Sequence, residues 1–160
     1  MGKAKPPADD RIPAVLTECP YYLISRTSLL GTSALKRELR AAGVEHVRPA
    51  YLGVLMSLWR EDGLIVVELG RRVGLEPSTM TGLLDRMGRD GLLERSPDPT
   101  DRRVQRIHLT ESGRAVERPV TEVVNRALGK MLEGVSESDL MQLKRTLQHV
   151  LGNADKLNRP

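Results

Sequence analysis

The feature that most constrains the fold is a glycine and a proline three residues apart, followed by one amphipathic helix. Gly74 suits a tight turn between two helices, because glycine reaches left-handed backbone angles without steric penalty. Pro77 fits the first position of the next helix, where its missing N–H group costs nothing. The apolar positions of that helix follow the i, i+3, i+4, i+7 spacing of one buried face: Met80, Leu83, Leu84 and Met87. The segment predicts two helices joined by a tight turn, with the second packed on a core.

Two short strands are predicted after this helix, at residues 92–96 and 104–109. The second alternates apolar and polar residues with the period of two that is typical of a half-buried strand. The connection between them, residues 97–103, is rich in turn-forming residues and carries two arginines at its end. Leu64 and Ile65 form a further short extended piece. This pattern predicts a small antiparallel sheet of two or three strands.

The rest of the chain is predicted to be helical, which makes the fold class mainly α with a small β-wing and six helices in all. Pro20 and Gly43 bound the first helix, and Pro49 and Gly63 bound the second. Thr110 is the expected N-cap of a long helix, in which Pro119 predicts a kink or a late start. A capping box at residues 136–139 begins the last helix. The expected buried positions of the first and last helices are Tyr22, Leu29, Leu30, Leu35, Leu39, Leu140, Leu143, Leu147, Val150 and Leu151.

Composition narrows the class of protein. A chain of 160 residues suits one compact domain, and no apolar run approaches the roughly 18 residues that cross a membrane. The single cysteine excludes an intramolecular disulfide and fits a reducing cytoplasm. The net charge of +4 permits nucleic-acid binding without indicating it, because residues 51–110 carry nine arginines and nine acidic residues. A DNA-binding prediction therefore depends on where the arginines lie.

The order helix, turn, helix, strand, arginine-containing tip, strand points to DNA. In a helix-turn-helix the second helix enters the major groove, and its N-terminal residues face base edges. The predicted contacts on that helix are Ser78, Thr79 and Thr81 with bases or phosphates. Arg86 is predicted to contact guanine or a phosphate. Arg102 and Arg103 at the tip suit the negative potential of the minor groove, and Asp101 is expected to pair with a neighbouring arginine and fix the shape of the wing. The alternatives are a solvent-facing helix, a solvated charged loop and a surface ion pair of Asp85 with Arg86.

Residues 64–113 resemble the MarR family of bacterial transcriptional regulators. The resemblance is carried by Gly74-Leu75-Glu76-Pro77-Ser78-Thr79-Met80-Thr81, Leu84-Asp85-Arg86-Met87, Gly91-Leu92-Leu93-Glu94-Arg95, Asp98-Pro99-Thr100-Asp101-Arg102-Arg103 and Leu109-Thr110-Glu111-Ser112-Gly113. It implies a winged helix-turn-helix DNA-binding domain over residues 49–110 and a helical dimerisation region over residues 20–48 and 111–155. The start of the chain is basic, contains prolines and lacks an apolar stretch, which predicts a flexible N-terminal arm at residues 1–19. Gly82 departs from the family pattern, in which many members have a longer polar side chain.

The resemblance also implies a cytoplasmic homodimer that binds a pseudo-palindromic operator as a repressor and is released by a small-molecule effector. Arg26, Tyr51 and Trp59 are candidates for the effector pocket, although Trp59 fits the core equally well. The alternative is a peroxide sensor that uses Cys19, which precedes the first helix beside two tyrosines; an incidental cysteine is the simpler interpretation.

Three other functions are weighed against this one. The histidines are too dispersed for a metal site, and no cofactor motif is present. No nucleophilic triad or phosphate-binding glycine loop indicates an enzyme. A winged-helix protein that binds other proteins, or DNA without sequence preference, remains a rival to the main prediction.

Overall fold

The computed structural model describes residues 17–157, so most of the predicted N-terminal arm, residues 1–16, lies outside the described residues. The helices are α1 (Pro20–Ala41), α2 (Leu52–Arg60), α3 (Val66–Val73), α4 (Pro77–Arg89), α5 (Glu111–Ala115), α6 (Glu117–Met131) and α7 (Glu137–Leu157). A 3-10 turn, Pro49–Tyr51, leads into α2. The strands are β1 (Leu64–Ile65), β2 (Leu93–Pro97) and β3 (Gln105–Leu109). The mainly helical winged fold is confirmed.

The long helix predicted from Thr110 is divided into α5 and α6 at Val116, so the six predicted helices correspond to α1–α7 with the fifth broken in two. Pro119 explains the break, because it has no N–H group to donate to the carbonyl of Ala115 four residues earlier. The predicted N-cap is confirmed: the Thr110 hydroxyl oxygen accepts a hydrogen bond from the Gly113 amide at 3.0 Å.

The three strands form one antiparallel sheet in the order β1-β3-β2. Leu64 pairs with Ile107, and Leu93 pairs with Leu109. Ile107 and Leu109 are buried while Arg106 and His108 are partly exposed, as the alternation in the sequence predicts. The central strand β3 therefore fixes both outer strands and places residues 98–104 at the tip of a hairpin.

The buried core lies within residues 17–127, which form one compact unit. All four predicted core positions of α4 are buried, together with Leu55 and Leu58 of α2 and Leu69 of α3. The core therefore holds α4 by one face and leaves its opposite face in solvent. None of the described helices is both long and apolar enough to cross a membrane.

The predicted burial of the first helix is wrong for much of its length. Leu39 is buried, but Leu29 and Leu30 are 64% and 56% exposed. The cause is that an apolar stripe is buried only where another element packs on it, and the described residues do not cover the whole stripe of α1.

The predicted burial of the last helix is also wrong. Residues 128–157 belong to a second compact unit, and α7 within it has no buried residue. Leu143, Leu147, Val150 and Leu151 are all more than 40% exposed. The apolar spacing of α7 is real, but the described residues of its own compact unit do not cover it.

Candidate nucleic-acid interface

Helix α4 is held by a turn that only glycine accommodates well. Gly74 closes α3 with φ +71° and ψ +36°, a left-handed conformation, and its amide donates to the Gly70 carbonyl at 2.8 Å. Pro77 then occupies the first position of α4, as the sequence predicts. The predicted contact residues Ser78, Thr79, Thr81 and Arg86 are all exposed. The turn and the buried face together orient these four side chains toward solvent.

The hydroxyl groups at the start of α4 differ in what they can offer. The Thr81 hydroxyl donates to the Pro77 carbonyl at 2.9 Å, which leaves its oxygen to accept and its methyl group to make apolar contacts. Within the described part of the chain, the Ser78 and Thr79 hydroxyls form no hydrogen bond. Ser78 and Thr79 can therefore both donate and accept toward an external ligand.

Arg86 lies over the space that Gly82 leaves open. A Cβ atom built on Gly82 would lie 3.7 Å from a terminal nitrogen of Arg86. The ion pair considered between Asp85 and Arg86 is not formed; Asp85 instead accepts from Arg95 of β2 at 2.6 Å. The Asp85–Arg95 pair ties α4 to the sheet.

The tip of the hairpin is organised by a buried carboxylate that the sequence analysis did not single out. Asp98 is 5% exposed, and it accepts from the Thr100 hydroxyl at 2.5 Å, the Thr100 amide at 2.8 Å and the Asp101 amide at 3.1 Å. Arg106 donates to its other oxygen at 2.6 Å. The Thr100 hydroxyl and amide, followed by the Asp101 amide and Arg106, hold the pKa of Asp98 well below its usual range. Asp98 therefore stays charged and keeps the tip in one shape.

Asp101 pairs with a neighbouring arginine, as the sequence predicts. It accepts from the backbone amide of Arg103 at 3.0 Å and from two nitrogens of the Arg103 guanidinium at 3.1 Å each. The Arg103 guanidinium lowers the pKa of Asp101. The Arg103 side chain is 91% exposed despite this pair, and Arg102 is also exposed. The guanidinium of Arg103 is thus oriented before any ligand arrives.

The base of the wing is joined to the helices by a second carboxylate. Asp62 accepts from the Leu109 amide at 2.9 Å and from Arg114 at 2.8 Å. Burial raises the pKa of Asp62, but the Leu109 amide and the Arg114 guanidinium outweigh burial and lower it. Arg106 adds a bond to the Gly63 carbonyl at 2.7 Å. These bonds connect β3 to the end of α2 and to α5.

The Leu-Thr-x-x-Gly portion of the motif has a steric explanation. A Cβ atom on Gly113 would lie 2.0 Å from the carbonyl oxygen of Leu92, which no side chain can accept. The Thr110 hydroxyl also donates to the Gly91 carbonyl at 2.6 Å. The first turn of α5 therefore lies directly against the backbone that precedes β2.

The structure does not gather the predicted effector residues around one site. Arg26 is exposed on α1. Tyr51 is fully buried and its hydroxyl donates to Asp90 at 2.6 Å. Burial, followed by the bond to Asp90, raises the pKa of Tyr51. The Trp59 indole N–H donates to the Gly113 carbonyl at 2.9 Å. Tyr51 and Trp59 thus use their polar atoms within the fold.

Cys19 is a free, half-buried thiol at the N-cap of α1. Pro20 occupies the first helical position, so one of the amides that a helix terminus offers to a thiolate is missing there. Among the described residues, no group of three or more His, Cys, Asp and Glu side chains could hold a metal ion.

Sequence reasoning missed Asp98, Arg106 and Asp62. A signal for Asp98 exists, because Asp followed two residues later by Thr in a proline-containing turn favours side-chain bonds to the local backbone. Asp62 and Arg106 give no such signal, since their partners are distant in sequence.

Known proteins share this architecture. A family model described as the MarR family matches residues 49–116. An organic hydroperoxide resistance transcriptional regulator of Bacillus subtilis (strain 168) is 34% identical over 110 residues, which are 69% of this chain and 73% of that protein.

Solved structures extend the similarity to nearly the whole described chain. The PcaV transcriptional regulator from Streptomyces coelicolor, solved in complex with its natural ligand, is 26% identical with a TM-score of 0.78, over 89% of this chain and 99% of PcaV. CouR from Rhodococcus jostii RHA1, solved bound to p-coumaroyl-CoA, is 26% identical with a TM-score of 0.72, over 86% of this chain and 95% of CouR. The exposed polar face of α4 and the arginines at the tip of the wing agree with these similarities. The chain belongs to the MarR family of DNA-binding transcriptional regulators.

Proposed function

We propose that this protein is a binding protein rather than an enzyme, and that it acts in the cytoplasm as a homodimeric, sequence-specific regulator of transcription. The observation that carries the proposal is the pairing of two surfaces on one rigid core. Helix α4 has one face buried and its hydroxyl-bearing face exposed, and the Arg103 guanidinium is fixed at the tip by Asp101. The first surface suits base edges in the major groove, and the second suits the minor groove.

Two copies would bind DNA together. The dimerisation region is proposed at residues 20–48 and 111–155, with the DNA-binding domain at residues 49–110. Its support is the exposed apolar side chains of α1 and α7, which a single chain leaves in water. A two-fold dimer would require a pseudo-palindromic operator with half-sites roughly 10 base pairs apart.

The proposed sign of regulation is repression that a small-molecule effector relieves. CouR, which shares this fold, is solved bound to p-coumaroyl-CoA, and PcaV is solved in complex with its natural ligand. The effector would favour a dimer geometry whose recognition helices do not match the operator spacing. Arg26, Tyr51 and Trp59 remain the predicted pocket, although Tyr51 and Trp59 already have partners within the fold.

A peroxide-sensing regulator is the second candidate, because the relative from Bacillus subtilis is named for organic hydroperoxide resistance. Here Cys19 would be the sensor, and its oxidation would change operator affinity. Thiol titration and operator binding before and after treatment with an organic hydroperoxide test this candidate. Unchanged binding by protein with oxidised Cys19 excludes it.

The two DNA-contacting surfaces are expected to respond differently to mutation. Thr79→Ala should relax base preference, because it removes a hydroxyl from the base-reading face. Arg103→Ala should weaken binding to the operator, because it removes the oriented guanidinium of the wing. Footprinting of the DNA that flanks the protein's own gene identifies the operator, and fluorescence anisotropy with operator and random duplexes measures both effects.

The matched controls change residues that are not proposed to contact DNA. Ser57→Ala is the control for Thr79→Ala, because the Ser57 hydroxyl donates to the Gly53 carbonyl within α2. Arg118→Ala is the control for Arg103→Ala, because Arg118 is an exposed arginine of α6 that is also paired with a carboxylate. If Thr79→Ala and Arg103→Ala bind the operator as the wild type does, the groove assignments are wrong.

A further inference from the structure

Three arginines converge at the C-terminal end of α4, away from the hydroxyl groups at its start. Arg86 and Arg89 come from the last turns of α4, and Arg48 comes from the N-cap of the 3-10 turn before α2. Together with Asp90 they line an open cleft of about 350 Å³. Two elements that are distant in sequence therefore contribute to one basic surface, which we call the arginine cleft.

Asp90 gives the arginine cleft its geometry. It is the C-cap of α4, a place where the partial negative charge of the helix end disfavours an acidic side chain. Its carboxylate is nevertheless anchored by the hydroxyl of the fully buried Tyr51 at 2.6 Å. Arg48 lies 3.6 Å from the same oxygen, and its guanidinium carbon lies 5.7 Å from the centre of the Tyr51 ring. A core residue thus fixes the carboxylate that draws Arg48 toward α4.

Among the described residues, ion pairs balance only part of the charge of the arginine cleft. One carboxylate faces three guanidinium groups, and within the described residues Arg86 and Arg89 form no ion pair. Arg86 and Arg89 are exposed, and the Arg48 side chain is 59% exposed. A cluster with two surplus positive charges, reached from solvent and built from forked donors, suits an oxyanion.

The position of the cleft on α4 indicates the source of that oxyanion. Thr79 and Arg89 are ten residues apart, which is about 15 Å along a helix at 1.5 Å per residue. The major groove is about 12 Å wide and is bordered by the phosphate backbones. For a recognition helix that enters the groove by its N-terminal end, the C-terminal end lies nearer the rim of the groove, where the phosphates are. A cleft that is open to solvent suits a phosphodiester chain better than a small enclosed ligand.

We propose that Arg48, Arg86 and Arg89 bind phosphates of the DNA backbone as a third contact surface beside the base-reading face and the wing, with Asp90 and Tyr51 as positioning residues. The inference rests on the proposed function, because it requires α4 to enter the major groove. This surface contributes affinity and register but no base preference, since phosphates are the same at every sequence.

The test is the salt dependence of binding by Arg48→Gln. Each lost phosphate contact makes the slope of the logarithm of the association constant against the logarithm of the salt concentration shallower by about 0.9. Between 50 and 200 mM salt, the variant should therefore lose roughly 3.5-fold less affinity than the wild type. The probes are a fluorescent duplex containing the footprinted sequence and a random duplex of equal length. We expect the slope to fall by this amount per chain on both duplexes, with the operator-to-random affinity ratio unchanged.

Arg60→Gln is the matched control, because it removes one exposed positive charge at the other end of α2. It should leave the slope as in the wild type. Arg89→Gln is a second test variant, since Arg48 contacts the buried Tyr51 and its loss could disturb folding; thermal unfolding of each variant checks this point. Arg48→Lys should restore the slope, because lysine keeps the charge.

Three outcomes would overturn the proposal. Wild-type slopes for well-folded Arg48→Gln and Arg89→Gln would do so, as would an equal change with Arg60→Gln. The third outcome comes from titration with inorganic phosphate at constant ionic strength. If phosphate binding requires Arg48 but the salt dependence of DNA binding does not change in Arg48→Gln, the cleft binds a small anion instead. Failure of the proposed function looks different: the wild type would then show no preference for any DNA fragment.

Discussion

Gly113 lies where the fold has no room for a side chain. A Cβ atom added to Gly113 would lie 2.0 Å from the Leu92 carbonyl oxygen, and the Gly113 carbonyl accepts a hydrogen bond from the Trp59 indole N–H. Gly113→Ala should therefore lower the free energy of unfolding by roughly 3 kcal/mol, because relief of the contact requires a backbone shift in α5 or β2. Urea unfolding measures the loss.

Gly82→Ala is the matched control, since a Cβ at position 82 meets only Arg86 at an ordinary contact distance of 3.7 Å. It should raise the free energy of unfolding by about 1 kcal/mol, because alanine favours the helix interior over glycine. If both substitutions have the same effect, the steric account of the Leu-Thr-x-x-Gly motif is wrong.

At the scale of elements, the wing depends on carboxylates that stay charged. Asp98 and Asp62 have pKa values lowered in the folded state, so each stabilises the fold fully above the pKa of the unfolded chain, about 3.9, and loses that effect as the pH falls further. The Tm of the wild type should therefore drop between pH 5 and pH 3. The Tm of Asp98→Asn should be lower than that of the wild type at pH 5 and should fall less toward pH 3, because asparagine does not titrate.

Asp85→Asn is the control for this experiment. Asp85 also pairs with an arginine, but its side chain is 54% exposed and it does not hold the tip. Its Tm should follow the wild-type profile with pH. An acid-induced drop in Asp98→Asn as steep as that of the wild type would show that Asp98 is not the group that titrates.

At the scale of the whole molecule, the uncovered apolar faces predict self-association. Leu151 of α7 is 70% exposed and belongs to the predicted dimerisation region. Leu151→Glu should convert the proposed dimer to a monomer in light scattering, because a charge within an apolar interface is costly to desolvate. Operator affinity should fall with it, since one half-site then binds alone.

Met56→Glu controls for the addition of a charge on an exposed apolar residue. Met56 is 59% exposed on α2, in the predicted DNA-binding domain. The Met56→Glu substitution should leave the proposed dimer intact. A Leu151→Glu protein that remains dimeric would place the dimer interface elsewhere.

Local signals were sufficient for most of the fold. Gly74 and Pro77 bound the turn before α4, the apolar spacing of α4 identifies its core face, and the alternation of β3 gives the buried side of the wing. These features follow from the sequence because each depends on backbone preferences and periodicities within a few residues. The pairing of Asp101 with Arg103, two residues apart, belongs to the same class.

The contacts between distant residues were decided only by the tertiary structure. Asp98 is the buried centre of the tip because β3 brings Arg106 back to it, and Asp62 acquires Leu109 and Arg114 from 47 and 52 residues away. The sequence likewise identifies the apolar spacing of α1 and α7 but does not say what covers it. Periodicity shows which face of an element is apolar, whereas burial and charge pairing depend on what the rest of the chain places against that face.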